Sequence, residues 1–174
     1  MKRILCCFAA LLVSALVFAQ DTEKSDWGPE ISVKAFASVY HGSYELSAGA
    51  RYRYVVFGLG SGYGTERWDA YPAQVHKVPV YGFFRGYVPL GEKERFLLFG
   101  EWSVGGECVY KIRGSFREDH SVRQTPYWQF RACFTPGIAL RLFARTNLYI
   151  APTMEILSPM ESHWGATAGL NIGF

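Results

Sequence analysis

Apolar and polar residues alternate through most of this chain, and the alternation is strictest over positions 164–174. The even positions there carry apolar side chains, whereas small or polar side chains fill the odd positions. Successive side chains of a β-strand point to opposite faces of a sheet, so this segment has one apolar face and one polar face. The pattern predicts a strand that ends on an aromatic residue.

The same two-residue period recurs in seven further segments. Their apolar files start at Ile31, Tyr44, Phe57, Val78, Phe96, Trp128 and Leu148, and the opposite files hold mostly polar side chains or glycine. No segment has the 3.6-residue apolar stripe of an amphipathic helix. Eight segments of this kind predict an all-β fold, namely an eight-stranded antiparallel up-and-down transmembrane β-barrel.

The predicted connections differ in length between the two ends of this barrel. Tight turns are predicted near 53–55, 89–94 and 143–145, and the opposite end has loops near 41–43, 65–76, 113–126 and 158–162. Transmembrane barrels have short periplasmic turns and longer exterior loops. We therefore expect both termini in the periplasm, and an extracellular partner would contact the two longest loops, 65–76 and 113–126.

The first residues have the features of a secretory signal peptide. Lys2 and Arg3 precede an apolar segment over 4–18, which is shorter than the roughly 20 residues of a membrane-spanning helix, and small residues before Gln20 favour cleavage there. The predicted organisation is a signal peptide over 1–19, a flexible periplasmic segment over 20–29 and a barrel over 30–174. Without Lys2 and Arg3 the formal charge falls from +3 to +1, which gives no support for nucleic-acid binding.

A soluble barrel shows the same alternation with its apolar file inside, so alternation alone leaves two alternatives. Charged residues are 19 % of the chain, against about 25 % in ordinary soluble domains, and the polar files lack the many Lys and Glu of a soluble exterior. Aromatic residues gather near the predicted strand ends, as in the interfacial girdles of membrane barrels. The predicted girdle comprises Tyr44, Tyr52, Tyr63, Tyr87, Tyr110, Trp128 and Trp164. The membrane barrel is the favoured alternative.

Nine charged residues of the polar files would face the lumen of such a barrel. They are Lys34, Glu45, Arg51, Arg85, Glu101, Glu107, Arg131, Arg141 and Glu155. Eight strands enclose a space that side chains just fill, and charges at low dielectric are rarely unpaired. We expect an ion-paired plug, with a narrow polar path or gate as the alternative. The glycines at 58, 60, 62 and 64 would make room for bulky lumenal side chains or let the sheet coil tightly.

Residues that could support catalysis are few. His41 with Ser43, the segment 119–121 and the segment 161–163 bring serine and histidine to predicted exterior loops, where such residues are common. A catalytic triad is defined by geometry rather than by adjacency, and no spacing typical of metal ligands is present. We predict a protein that is not an enzyme and that has no catalytic residues, metal or cofactor.

The two cysteines of the predicted barrel, Cys108 and Cys133, lie on neighbouring strands. Cys108 belongs to an apolar file and Cys133 to a polar file. A disulfide between opposite faces of a sheet needs a bulge to bring the Cβ atoms together, so whether the two are bonded stays open.

Six short motifs, in this order, resemble one family. They cover residues 45–52, 57–63, 78–81, 85–91, 135–141 and the ending 169–174. With these motifs the chain resembles the small outer-membrane β-barrel proteins of Bacteroidota-type bacteria, which are related in shape to OmpA- and OmpX-type barrels. The resemblance covers nearly all of the predicted barrel.

This resemblance implies a bacterial outer-membrane location and contact with outer-membrane lipids. It also implies assembly by the barrel-assembly machinery, which would read Leu170, Ile172 and Phe174 in the last strand. The family offers no shared catalytic residues, so the expected role of this monomeric, porin-like barrel is structural or surface-interacting. A narrow pore or a transport or secretion accessory is the first alternative, and a lipid-modifying enzyme is the second.

Overall fold

The structure is a computed structural model that describes residues 27–39, 41–67, 74–91, 94–112, 126–143, 145–158 and 161–174. Its strands are β1 (Trp27–Ser38), β2 (His41–Tyr52), β3 (Val55–Arg67), β4 (Gln74–Leu90), β5 (Phe96–Ile112), β6 (Tyr127–Phe143), β7 (Thr146–Leu157) and β8 (Glu161–Gly173). Each strand pairs with the next, and β8 pairs with β1 to close a barrel. All pairs are antiparallel, so the predicted eight-stranded architecture is confirmed.

The seam between β1 and β8 closes the sheet. Ile31 lies opposite Ile172, and Ala35 lies opposite Ala168. The Phe174 amide donates to the Pro29 carbonyl at 2.9 Å, and the Phe174 carbonyl accepts a hydrogen bond from an arginine of the β6–β7 turn. The terminal strand therefore pairs with the strand near Ile31, as the alternation predicts.

The polar file of each strand points inward, which is the reverse of a soluble barrel. In β2, Glu45 and Arg51 are buried, whereas Tyr44 and Leu46 are exposed. The interior also holds an apolar cluster of Val56, Tyr81, Phe83, Tyr87, Leu97, Phe99, Ala139, Tyr149 and Ala151. Large aromatic and aliphatic side chains cover the outer wall.

Two glycines of β3 show why positions 58–64 carry no side chains on the inner face of that strand. A Cβ at Gly60 would lie 2.6 Å from the Tyr81 hydroxyl, so glycine makes room for this lumenal ring. A Cβ at Gly58 would lie 2.5 Å from the Cα of Gly49, so glycine lets β2 and β3 approach closely. Both of the steric roles expected from the sequence are present.

The sheet extends beyond several predicted boundaries, which were wrong by a few residues. Residues 27–29, predicted to be flexible, pair with β2. The segments 65–67 and 74–76, predicted as loop, pair with one another, and the predicted loop at 41–43 begins β2. Backbone hydrogen bonding to the neighbouring strands continues through these segments, because each peptide group needs a partner.

Other predictions fall outside the described residues. They are the signal peptide at 1–19, residues 20–26 of the predicted periplasmic segment, and the loop residues 68–73 and 113–125. Among the described residues, no helix is both long and apolar enough to cross a membrane.

Candidate functional site

The structure places eight of the nine predicted lumenal charges inside the barrel. Lys34, Glu45, Arg51, Arg85, Glu101, Glu107, Arg131 and Glu155 are all buried. The ninth, Arg141, is partly exposed and pairs with Glu94 at 2.6 Å. We call the end of the barrel with the β2–β3, β4–β5 and β6–β7 connections the turn end, and the opposite end the loop end.

Arg85 organises the ion pairs nearest the turn end. Its Nη1 donates to Oε1 of Glu30 at 2.6 Å and to Oδ1 of Asn171 at 3.0 Å. Its Nε donates to Oε2 of Glu101 at 2.8 Å. Glu30 also accepts from Nη1 of Arg51 at 3.1 Å. The guanidinium of Arg85, which has no exposed surface, thus bridges two carboxylates from different strands.

Lys34 and Arg131 continue the pairing towards the loop end. Lys34 Nζ lies 2.6 Å from Oε1 of Glu101 and 3.2 Å from Oε2 of Glu45. Arg131 donates from Nη2 to Glu45 at 2.6 Å and from Nε to Glu155 at 2.5 Å. Each cation again joins two carboxylates.

These contacts form one continuous series, which we call the charge ladder. In order from the turn end it comprises Arg51, Glu30, Arg85, Glu101, Lys34, Glu45, Arg131 and Glu155. Cations and carboxylates alternate in equal number, so every buried charge of the ladder has an opposite neighbour. Such pairing offsets the large cost of removing charges from water.

The ladder reaches both ends of the barrel. At the turn end, Nε of Arg51 donates to the carbonyl of Arg53 in the β2–β3 turn at 2.8 Å. At the loop end, Nδ1 of His41 lies 3.1 Å from Oε2 of Glu155. Polar contacts therefore cross the whole length of the interior.

A side branch of the ladder lies at the loop end. Lys77 Nζ is 2.6 Å from Oε2 of Glu66 and 3.1 Å from Oε1 of Glu107. Gln129 donates to Glu107, and Nε of Arg131 lies 4.0 Å from the same carboxylate. The branch thus joins β3, β4 and β5 to the ladder on β6.

The sequence analysis does not include several members of this site. The signal that identifies them is parity, because residues an even number of positions apart in one strand share a face of the sheet. Glu30 has the same parity as Ser32 and Lys34, and Lys77 has the parity of Arg85. Glu66 and His41 lie in segments that the pattern predicts as loops, although each belongs to the inner file of its strand. Alternation extended to the true strand ends places Glu30, Glu66 and His41 inside, whereas Lys77 already belongs to the polar file of β4.

Tyr87 is a correction to the predicted aromatic girdle. It is only 3 % exposed, because it shares the inward parity of Arg85. Its hydroxyl accepts from Nδ2 of Asn171 at 2.7 Å, and its ring lies 5.2 Å from the Arg51 guanidinium carbon. The other six members point outward and are 38–74 % exposed: Tyr44, Tyr52, Tyr63, Tyr110, Trp128 and Trp164.

The histidine and serine residues considered for catalysis lie in different environments. His41 is buried beside Glu155, but the Ser43 hydroxyl donates to Oε1 of Glu45 at 3.1 Å. His163 lies 3.9 Å from Glu161, and the segment 119–121 lies outside the described residues. Among the described residues, no group of three or more His, Cys, Asp or Glu side chains is placed to hold a metal ion.

Neither cysteine of the barrel forms a disulfide in the structure. Cys108 belongs to the outer file of β5, and Cys133 belongs to the inner file of β6. The Cys133 thiol lies 3.9 Å from Oε1 of Glu155 and so contacts the charge ladder.

The residues of the predicted assembly signal lie at the β1–β8 seam. Leu170 is opposite Val33, and Ile172 is opposite Ile31. Ile172 and Phe174 are buried, whereas Leu170 is half-buried.

No family model and no curated protein matches this chain. Among solved structures, the chain is similar to the N-terminal β-barrel domain of Pseudomonas aeruginosa OprF, with a TM-score of 0.55 and 12 % identity over 84 % of this chain and 97 % of that one. It is also similar to Neisserial surface protein A, with a TM-score of 0.54 and 12 % identity over 86 % and 98 % of the two chains. The outer-membrane enzyme PagL matches with a TM-score of 0.49 and 11 % identity over 82 % and 98 %.

The first two similarities define the class of fold. This chain has the fold of the eight-stranded outer-membrane β-barrels, in agreement with the OmpA- and OmpX-like shape expected from the sequence. The expected Bacteroidota origin stays a prediction.

Proposed function

We propose that this protein is an integral outer-membrane β-barrel whose lumen is sealed by ion pairs and whose role is structural or surface-interacting. The observation that carries the proposal is the charge ladder, which crosses the interior from the Arg51 end to the His41 end. The charged residues of the ladder are therefore paired with one another, which supports a sealed interior.

The outer wall supports the location in a membrane. Leu59 is 72 % exposed, Ile150 is 68 % exposed and Trp102 is 58 % exposed, although all three lie in the middle of strands. Monomeric soluble proteins rarely expose a contiguous apolar patch larger than a few hundred Å². Closed barrels satisfy every backbone hydrogen bond within the sheet, so the lipid core can cover such a wall.

The burial of the ladder supports a sealed lumen. Arg85 and Glu155 have no exposed surface, and Glu45 and Glu101 are buried between cations. A continuous water path along the interior requires at least one of these close pairs to separate, and the loss of its attraction opposes that separation. The ion-paired plug is therefore preferred to the narrow pore.

Conductance distinguishes the plug from the pore or transport accessory. The purified protein is reconstituted into planar bilayers, and insertion is checked by flotation of matched vesicles and by heat-modifiable migration. We expect no unitary current steps at any applied voltage. Reproducible unitary steps from inserted wild-type protein would contradict the sealed lumen and favour the pore.

The proposed orientation places the loop end outside the cell and both termini in the periplasm. Ser158 lies at the loop end, whereas Glu94 lies at the turn end. In intact cells, a membrane-impermeant maleimide should label a Ser158→Cys variant but not a Glu94→Cys variant. Both native barrel cysteines are buried, so wild-type protein is the background control. Labelling of the Glu94→Cys variant alone would indicate the opposite orientation, with the turn end outside the cell.

Recognition of Leu170, Ile172 and Phe174 by the barrel-assembly machinery is part of the proposal. The Phe174 backbone bonds to β1 at the seam, where the last strand closes the sheet. Phe174→Ala should lower the amount of folded protein in the membrane more than Lys34→Ala does, measured by heat-modifiable migration of membrane fractions. Equal yields of the two variants would count against a signal at this residue.

We propose that the extracellular partner binds at the loop end, through the predicted loops 65–76 and 113–126, the second of which connects the 17-residue strands β5 and β6. Replacing residues 113–125 with a short Gly-Ser linker tests this, with heat-modifiable migration as the control for folding. Wild-type protein should retain cell-surface material in a pull-down, and the folded variant should not. Unchanged retention would contradict a partner at this loop.

One observation favours the enzyme alternative, namely the contact between His41 and Glu155, because a carboxylate orients an imidazole in the triads of hydrolases. The sealed-barrel proposal predicts that His41→Ala and Ser43→Ala leave lipid A composition unchanged in cells that express equal amounts of folded protein. A change in lipid A caused by wild type and abolished in both variants would favour the enzyme.

A further inference from the structure

The hydrogen-bond ladder between β6 and β7 is interrupted near the middle of both strands. Paired positions run up to Phe134 opposite Met154 and resume at Ile138 opposite Ile150. The residues between them, 135–137 on β6 and 151–153 on β7, have no ladder partner across this seam, which we call the proline seam. Among the described strand pairs this is the longest interruption, because the one between β3 and β4 covers two positions of each strand.

Two opposed prolines explain the interruption. The register on either side places Pro136 opposite Pro152. Proline has no backbone N–H, so neither residue can donate a ladder bond to the other strand. On their other sides the same two residues keep their strand partners, which are Gly100 for Pro136 and Ala166 for Pro152. The weak line in the wall is therefore confined to the contact between β6 and β7.

Side chains inside the barrel hold the proline seam closed. The hydroxyl oxygens of Thr135 and Thr153 lie 3.1 Å apart across the seam, and those of Thr153 and Thr167 lie 2.6 Å apart on the next strand pair. A Cβ at Gly137 would lie 2.9 Å from the Cα of Ala151, so the two backbones are in close contact. A hydroxyl pair and close packing thus stand where backbone bonds are missing.

The interruption between β3 and β4 is bridged differently. It includes Pro79, and the Ser61 hydroxyl of the neighbouring strand donates to the Pro79 carbonyl at 2.9 Å. That seam is therefore tied through a backbone group. At the proline seam the hydroxyls of Thr135 and Thr153 bond to each other, so the strands are tied through side chains that can move apart by rotation.

Both sides of the proline seam are apolar. Outside, Ile138 is 53 % exposed and Ile150 is 68 % exposed, so hydrocarbon would cover them in a bilayer. Inside, Ala139, Tyr149 and Ala151 belong to the apolar cluster of the lumen. An opening at this seam would therefore connect the hydrocarbon core of the membrane with an apolar region of the interior.

We infer that β6 and β7 separate at the opposed prolines and admit an acyl chain of a membrane lipid to the interior apolar cluster. The inference rests on the proposed function, because the bilayer supplies the chain. Separation at an uninterrupted seam would leave several peptide groups unpaired in lipid, which is costly. At the proline seam that cost is smaller, because residues 135–137 have no ladder bonds to β7 to lose.

The same geometry selects the chemistry of the ligand. The nearest members of the charge ladder, Arg131 and Glu155, are paired with each other and lie beyond the seam towards the loop end. An ion entering from the lipid would have to give up its hydration without meeting an unpaired charge. An alkyl chain has no such cost, so a lateral opening of this kind is compatible with a lumen that is sealed along its axis.

A maleimide carried on an alkyl chain tests the entrance. In a Cys108→Ala, Cys133→Ala background, the reporter is Ala151→Cys at the inner face of the seam. The matched control is Ser47→Cys, because Ser47 is also buried on an inner file but has ladder partners on both neighbouring strands. Folded protein in phosphatidylcholine vesicles is exposed to N-dodecylmaleimide, and the labelling rate is followed by mass spectrometry.

We expect the reporter to be labelled faster than the Ser47→Cys control. Adding Pro136→Ala and Pro152→Ala to the reporter supplies two backbone donors, which should slow its labelling roughly tenfold, the equivalent of one or two hydrogen bonds. Adding Thr135→Val instead removes the hydroxyl pair and should speed labelling. Equal rates for reporter and control, or a reporter rate that the restored donors leave unchanged, would overturn the inference. If Ala151→Cys does not fold, Ala139→Cys replaces it under the same criteria.

The lateral entrance and the sealed barrel fail in different ways. Heat-modifiable migration is measured for every variant first, and wild-type protein without a folded band would contradict the membrane barrel itself. A charged, water-soluble maleimide is then applied to the folded reporter. Labelling by this reagent as fast as by the dodecyl reagent would indicate a water path and contradict the sealed lumen. A folded reporter that neither reagent labels would contradict the lateral entrance alone.

Discussion

Neighbouring residues of β4 lie in opposite environments. Side chains of one file face the lumen and those of the other face outward, and the same division holds for the other strands of the barrel. Arg85 is 0 % exposed and contacts two carboxylates, whereas Phe84 is 53 % exposed. A soluble barrel would place these two side chains the other way round. Alternation alone is compatible with either water or lipid around the barrel. The inward location of the charges is what makes the outer wall apolar and therefore suited to lipid.

The two files are also stabilised by different interactions. The inner file depends on specific pairs, because removing one partner leaves a buried charge without compensation. The outer file depends on the surroundings, because its aliphatic and aromatic side chains gain only when lipid or detergent covers them. Substitutions in the two files should therefore differ in size and in their dependence on lipid.

The largest loss of stability is expected for Arg85→Leu in the inner file. The substitution leaves Glu30 without its 2.6 Å partner and removes two hydrogen bonds to Glu101. Breaking a buried ion pair on one side costs about 3–5 kcal/mol. Urea unfolding in vesicles, followed by tryptophan fluorescence, measures this loss.

Arg141→Leu is the matched control for that variant. Arg141 makes one ion pair with the exposed Glu94, and exposed pairs contribute much less to stability than buried ones. Equal losses for the Arg85 and Arg141 variants would mean that the charge ladder does not stabilise the interior.

Val80→Arg tests the outer file. Val80 lies on the exposed side of β4, where an arginine would enter the hydrocarbon core and destabilise the protein by about 2–4 kcal/mol. Ser158→Arg, at the loop end, should have little effect in the same vesicles. An unchanged or higher stability of the Val80 variant would indicate that water rather than lipid covers this wall.

Gly60→Ala tests the packing between the inner file of β3 and the aromatic interior. The added Cβ would lie 2.6 Å from the Tyr81 hydroxyl, and overpacking of this kind costs about 1–3 kcal/mol. Gly86→Ala on the outer wall is the control, because its Cβ meets nothing within 4 Å. Losses of the same size at both glycines would rule out a specific clash with Tyr81.

The smallest effect is expected at the turn end and depends on pH. The hydrogen bond from Arg141, with a second from Tyr54, lowers the pKa of the Glu94 carboxyl below its ordinary value of 4.5. A folded pKa below the unfolded one means stabilisation that is present above the unfolded pKa and is lost as pH falls through the folded pKa. Wild type should therefore melt slightly above Glu94→Gln at pH 7, and the gap should close in acid. A difference in melting temperature that widens in acid would contradict a stabilising contribution from the ionised Glu94 carboxylate.

Much of the fold follows from the sequence, because period-two alternation fixes strand number and the face of each residue. Eight lumenal charges could be placed in this way, from Lys34 on β1 to Glu155 on β7. The prediction that Tyr87 belongs to the outer girdle is wrong. It relied on the aromatic ring near a strand end, whereas the position of Tyr87, two residues after Arg85, places it on the inner face. Glu30 precedes Ile31, the first apolar position of the predicted strand, so the apolar file does not include its position.

The partners within the charge ladder could not be predicted from the sequence. Lys34 and Glu101 are 67 residues apart and lie on strands that are not neighbours in the sheet. Their contact depends on the curvature of the closed barrel and on side chains that reach across the lumen.

Folding of the purified chain into phospholipid vesicles is the most direct test of a barrel with a polar interior and an apolar, lipid-covered outer wall. The unfolded protein is diluted from urea into vesicles or into buffer alone, and both samples are run unheated and heated on a denaturing gel. A membrane barrel gives a heat-modifiable band with vesicles and only aggregate in buffer. A stable, monomeric folded protein in buffer without lipid or detergent would contradict a lipid-covered outer wall.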